Sequence, residues 1–478
     1  MKRNIILLIS IYILTISCNK EELTLIDPNR TTFESLMKNA NGVESLVLGI
    51  YSSTRSVWNN GQYDFRFLRS DEYDLQNITY ENYLINKFKL DATDGQSNSI
   101  WSNGYSTISA VNDILSKIDE APIPEDKKIR YKGELLFFRA QKYFDLVRYF
   151  GDVPLITTQL TIDEARNTIR TGVDKVYAQI IQDLDLSISN LPAIIPEEEY
   201  GRVTKYAAMA YLAKVYMTLK DWPSANELLK TIINSNIYTF YEGNWMDIFS
   251  REDLQPQFYI FAARFKADEL GNSSDAWWEN HLPSDIEIST YGIAGDISAP
   301  PLSEDVIQSF EDNDIRKNIS LALTYENAQG EIKNSFPFLK KFHQGILVNS
   351  RAGTDFPFIR FTDVVLMYAE VCNELNQNIN EAIIWLNKVR NRAGLESVYP
   401  AGGNDLRLAI EIERQKELFG EGHRWFDLVR TGRAITIMNQ HFVNIGEDLI
   451  IDENDLLFPI PDIQILRHTS EIKQNPGY

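Results

Sequence analysis

The sequence predicts a mostly α-helical chain, a scaffold of tetratricopeptide-like helical hairpins carrying one long, loop-rich insert. Three observations carry that prediction. Apolar residues recur at spacings of three and four over several long windows. Two segments, about Thr204–Ser235 and about Arg360–Ala393, share the spacing of a tetratricopeptide helix pair. Between them, residues 238–357 lose that periodicity and gain prolines, glycines and asparagines. The chain has 478 residues, 44% of them apolar, whereas single cores stop growing at about 250–300 residues. A core spread along an elongated scaffold is therefore expected.

The first residues, Met1-Lys2-Arg3, precede a run from Ile5 to Ile16 broken only by Ser10 and Thr15. That run is far shorter than the roughly 20 residues of a membrane span and fits a secretion signal. Leu14-Thr15-Ile16-Ser17-Cys18 resembles a bacterial lipobox. Residues 1–17 are then the signal, Cys18 the acylated N-terminus, 18–30 a tether and 31–478 a single domain. The other cysteine, Cys372, lies in a helical pattern and reads as a buried thiol.

The first long helix spans Trp101 to Ile118, with one apolar stripe through Ile108, Val111, Ile114 and Leu115. A second runs from about Asp126 to Phe150 and stops at Gly151, with Pro154 beyond. In the first hairpin, Ala225, Leu229 and Ile232 mark the second helix, and Lys220-Asp221-Trp222-Pro223 makes the turn. In the second hairpin Ala382, Leu386 and Val389 repeat that spacing, 157 positions on, too far for a tandem array of period about 34. The scaffold is thus about 31–237 and 358–478, the insert about 238–357, a variable surface on a rigid frame. Trp101, Trp222, Trp245, Trp385 and Trp425 sit in or beside helical patterns and read as packing residues.

Composition excludes several chemistries. The net charge is −20, or −22 once Lys2 and Arg3 leave with the signal, and no basic cluster offers a nucleic-acid surface. The five histidines and two cysteines never fall at a metal-ligand spacing, and the acidic stretch Asp91–Asn98 lacks the residue that closes a calcium loop, so no metal or cofactor is expected. No nucleophile elbow, P-loop or dinucleotide glycine pattern is present. Glu413, Arg414, Glu417, Glu421, Arg424, Asp427 and Arg430 recur at helical spacings, which suits ion pairs along and between helices rather than catalysis. The catalytic alternative makes two such carboxylates a glycosidase pair.

Pro357 to Glu370, Asn387 to Leu395, Ile412 to Gly432, Leu457-Phe458-Pro459-Ile460-Pro461 and the closing Gln474-Asn475-Pro476-Gly477-Tyr478 together resemble the SusD/RagB family of Bacteroidetes outer-membrane lipoproteins. Earlier stretches agree, among them Phe150-Gly151-Asp152-Val153-Pro154-Leu155 and Gly201-Arg202-Val203-Thr204-Lys205. Asn19-Lys20-Glu21-Glu22 is similar to a tag that sends such lipoproteins to the outer face of the outer membrane. The resemblance implies a SusD-like α/α superhelix. It also implies a non-catalytic receptor, lipid-anchored outside the cell, that hands nutrient to a TonB-dependent SusC-like transporter as its lid. The cargo implied is a glycan, with oligopeptide as the alternative.

A sugar binder needs exposed aromatic platforms beside polar groups. Two clusters outside the helical motifs qualify. One holds Trp58, Tyr63, Arg66, Tyr73, Tyr80 and Tyr83. The other holds Trp277, Trp278 and Asn280, with Tyr291 beyond. Trp277 and Trp278 lead, because neighbours in an extended segment point to opposite sides.

Overall fold

A computed structural model of the chain describes residues 32–59, 64–75, 80–250, 255–265, 281–286, 299–334, 336–342, 347–348, 351–352, 355–469 and 472–478. Its frame is a row of helices: α1 (Ala40–Asn59), α2 (Gly95–Lys117), α3 (Glu125–Phe150), α4 (Val173–Asn190), α5 (Lys205–Thr218), α6 (Trp222–Asn234), α7 (Phe361–Glu374), α8 (Ile379–Arg392) and α9 (Asn404–Glu417). Each packs on the next in the row. The expected hairpins are α5–α6 and α7–α8. The insert leaves after α6 and returns before α7, so α6 packs directly on α7 and the two hairpins stack as neighbours.

Local sequence sets the helix ends. Asp94 caps α2 by accepting from the Gln96 N–H at 2.7 Å, and Asp91 accepts from Thr93, so both carboxylates of the acidic stretch serve the turn. Thr204 caps α5 and Asp221 caps α6. Glu125 and Asp126 complement the first turn of α3. Its last carbonyls are closed by Gly151 at φ 68°, where a Cβ would also sit 3.0 Å from Leu457.

A helix in the middle of such a row must be apolar on more than one side. Accordingly Leu135, Phe137, Phe138, Phe144 and Phe150 of α3 are all buried, and α7 is buried from Phe361 to Asn373. Ala225, Leu229, Ile232, Ala382, Leu386 and Val389 are fully buried, as their spacing requires. Trp101, Trp245 and Trp425 are core residues, and Trp222 and Trp385 pack half-buried against them. Cys372 is a buried free thiol.

The insert begins and ends in one antiparallel ribbon. Strand β1 (Tyr259–Ala263) pairs with β2 (Phe356–Arg360), and Phe261 stacks on Phe358 with centroids 5.1 Å apart. Phe261 also meets Phe137 of α3 edge-on, which seats the ribbon on the frame.

The C-terminal charges tie the insert down. Glu417 accepts from Arg360, Arg392, Arg316 and the Trp245 indole N–H. Glu421 pairs with Lys341 and Arg360, Glu413 with Arg316 and Arg390, Arg414 with Asp363 and Asp427, Arg430 with Glu370 and Asp427, and Arg424 with Asp71. All seven charges singled out in the sequence are ion-paired, and Arg316 and Lys341 reach them from the insert. The closing motif does likewise for the C-terminus, where Asn475 Nδ2 donates to Phe150 O at 3.0 Å and to Phe458 O at 2.7 Å.

Candidate functional site

The largest cleft among the described residues, about 600 Å³, opens beside the ribbon. Helix α1 lines it through Glu44, Leu48, Tyr51 and Ser52, and β1 with the residue that follows it through Phe261 to Arg264. Phe138 and Phe358 lie at its base, and the segment Glu198 to Arg202, between α4 and α5, forms the rim. The half-buried rings of Tyr51 and Tyr200 beside charged groups suit a ligand with apolar C–H faces and a polar edge.

Tyr200 and Arg264 form the centre of the rim. The Arg264 guanidinium carbon lies 4.3 Å from the Tyr200 ring centroid, and its Nε lies 2.9 Å from Asp355 Oδ2. Gly201 makes that stacking fit. Its φ is +105°, and a Cβ there would lie 2.6 Å from Arg264 Cγ.

The rest of Gly201-Arg202-Val203-Thr204-Lys205 builds the wall. Arg202 pairs with Glu134 at 2.8 Å and with Glu44, which also accepts from the Tyr131 hydroxyl. Arg130 bridges Glu134 at 2.9 Å and Glu199 at 2.6 Å. The Val203 N–H donates to the Tyr51 hydroxyl at 3.0 Å, fixing the ring that faces the cleft, and Thr204 starts α5.

Two family models match this chain. One, described as "SusD family", covers residues 263–478; the other, "Starch-binding associating with outer membrane", covers 29–217. The chain belongs to the SusD family. Carbohydrate binding and outer-membrane association are thus properties of its family as described. Its SusD-like relatives include SusD-like protein P2 of Formosa agariphila, 26% identical over 93% of this chain and 94% of that protein. The SusD-like fold recurs in a laminarin-binding SusD-like protein, with 24% identity, 92% of this chain and 100% of that one covered, and a TM-score of 0.77. It recurs again in surface glycan-binding protein A of Bacteroides fluxus, with 22% identity, 92% and 100% covered, and a TM-score of 0.77.

On this SusD frame the first aromatic cluster divides. Tyr73 is a core residue rather than an exposed platform: it is fully buried, stacked on Phe419 and edge-on to Phe67. Its acidic neighbours point elsewhere, Asp71 to Arg424 and Asp74 to Lys87. Arg66 is half-buried, donates to Asp145 at 2.7 Å, faces Phe426, and does not line the cleft. Tyr83 is half-buried with the Lys89 ammonium 5.2 Å from its ring centroid. Cys18, Tyr63, Trp277, Trp278, Asn280 and Tyr291 lie outside the described residues, as do the side chains of Trp58 and Tyr80. The cleft residues Tyr51, Tyr200 and Arg264 escaped the sequence reading. Tyr51 lies in a helical segment, and the one signal for Tyr200 was its place just before the Gly201-Arg202 motif.

Proposed function

We propose that this SusD-family chain is a non-catalytic cell-surface receptor that captures a poly- or oligosaccharide and delivers it to a TonB-dependent SusC-like transporter, over which it acts as a lid. The observation that carries this reading is the cleft, in which the half-buried Tyr51 and Tyr200 stand beside the Arg264 guanidinium over the buried rings of Phe138, Phe261 and Phe358. The family description and the glycan-binding relatives support it. Removal of residues 1–17 and acylation of Cys18 supply the anchor, at about 0.8 kcal/mol per buried methylene. Among the described residues no helix is long and apolar enough to cross a membrane.

In the sequence Trp58 follows the cleft residue Ser52 by six positions, and Trp277 and Trp278 follow Arg264 by thirteen and fourteen. Those tryptophans, with Tyr63, Asn280 and Tyr291, remain candidates to extend the platform. The test is isothermal titration of residues 19–478 against soluble polysaccharides, oligosaccharides and peptides, with Tyr200→Ala, Trp277→Ala and Trp278→Ala alongside. Binding of a polysaccharide without product release, weakened by Tyr200→Ala, is expected. Binding of peptides alone would replace glycan by peptide as cargo.

A further inference from the structure

The charges around the cleft bear on which glycans it can take. Both cations that line it are already neutralised: Arg202 by Glu134 and Glu44, Arg264 by Asp355. Arg130, behind the wall, is shared between Glu134 and Glu199. Glu198 on the rim is exposed and has no ion-pair partner among the described residues. Five carboxylates therefore stand against three guanidiniums, and the excess charge faces the opening.

The sequence of the insert has the same sign. Residues 238–357 contain 19 acidic and 9 basic residues, so one quarter of the chain holds half of its net charge of −20. A receptor for a uronate- or sulfate-bearing polymer needs guanidinium or ammonium groups free to pair with each anion. Here Arg202 turns its donors to Glu134 and Glu44, Arg264 is ion-paired with Asp355 and its Nη1 is buried away from solvent, and an incoming anion meets Glu198 and Glu199 at the rim. Over distances of about 10 Å at moderate salt that repulsion is only partly screened.

We propose that the cleft selects uncharged glycans and rejects those carrying carboxylate or sulfate groups. This rests on the cleft being the glycan site.

The test uses matched probes, amylopectin, mixed-linkage β-glucan and galactomannan, each beside its own carboxymethylated and sulfated derivative, titrated into residues 19–478 at low and high salt. The expected result is that a neutral polymer binds and its charged derivatives bind at least about ten-fold more weakly at low salt. The gap narrows at high salt, and it narrows at low salt in Glu198→Lys. A charged derivative that binds as tightly as its parent at low salt, or more tightly, overturns the selectivity while leaving glycan binding intact. Binding of peptides and of no polysaccharide, charged or neutral, overturns the glycan reading and the selectivity with it.

Discussion

Lys214 Nζ lies 2.7 Å from Asp363 Oδ2 inside the core, joining α5 of the first hairpin to α7 of the second. Arg414 Nη1 holds the other oxygen at 2.9 Å. Burial alone would raise the Asp363 carboxyl; Lys214 and Arg414 outweigh it and hold the group well below the usual carboxylate range. The link between stacked hairpins is thus ionic as well as apolar.

Asp363→Asn keeps the shape of the side chain and removes its charge, leaving two cations facing an amide in the core. The expected loss is about 3–5 kcal/mol, read from the urea midpoint at neutral pH. A loss below about 1 kcal/mol would mean that the apolar contacts alone hold the hairpins together.

His423 makes the same region pH-sensitive. Its Nδ1 lies 3.2 Å from Lys214 Nζ, and burial, aided by that ammonium, pushes the imidazole down to about 3 from an ordinary 6.5. As pH falls below 6.5 the unfolded chain takes up a proton that the folded chain refuses until about pH 3, so this group costs stability progressively across that window. Glu72 acts with the opposite sign, since burial and the neighbouring Asp71 raise its carboxyl well above the ordinary value. The prediction is therefore placed on a difference: relative to the native chain, His423→Gln gains stability as pH drops from 6.5 to 4. A difference that stays constant over that range would show that His423 does not titrate as described.

Gly201→Ala puts a methyl group where Arg264 Cγ now lies, at a φ that other residues rarely adopt. A loss of about 1–3 kcal/mol of stability is expected, with weaker ligand binding as Arg264 lifts from Tyr200. Gly95→Ala is the control, because nothing lies within 4 Å of its added Cβ and helix propensity favours alanine. Equal behaviour of the two variants in titration would remove the Tyr200–Arg264 pair from the site.

Burial pushes the Cys372 thiol up to about 11. In residues 19–478 it is the lone cysteine. It should stay unmodified by a disulfide reagent at pH 8 until denaturant is added, since the thiolate is the reactive form. Rapid labelling of the folded chain would place α7 in a far more open environment.

The hairpins were legible because small and branched residues at three- and four-residue spacings, such as Ala225, Leu229 and Ile232, have no role but close packing. Their stacking was not, because nothing local in the sequence says where the insert returns. The same limit misplaced Tyr73. Asp71, Glu72 and Asp74 make its surroundings look wet, yet Asp71 is neutralised by Arg424, more than 350 positions away. The C-terminal charges were assigned correctly as structural because their period already matched helix faces. The cleft was invisible for the opposite reason, being assembled from short stretches of α1, β1 and the segment before α5 that lie far apart in the sequence.

The β1–β2 ribbon brings Ala263 opposite Phe356, so the chain departs from and rejoins the frame at one point. Unpacked loops within a segment closed in this way can be lengthened at little thermodynamic cost, since doubling a loop adds only about 0.6 kcal/mol of closure entropy, whereas Leu302, Phe310, Phe338 and Phe342 are buried and must keep their places. Residues 264–355 are in effect a cassette plugged into a fixed socket. New binding preferences could be grafted there, provided that Arg316 and Lys341, or replacements for them, still answer Glu413, Glu417 and Glu421.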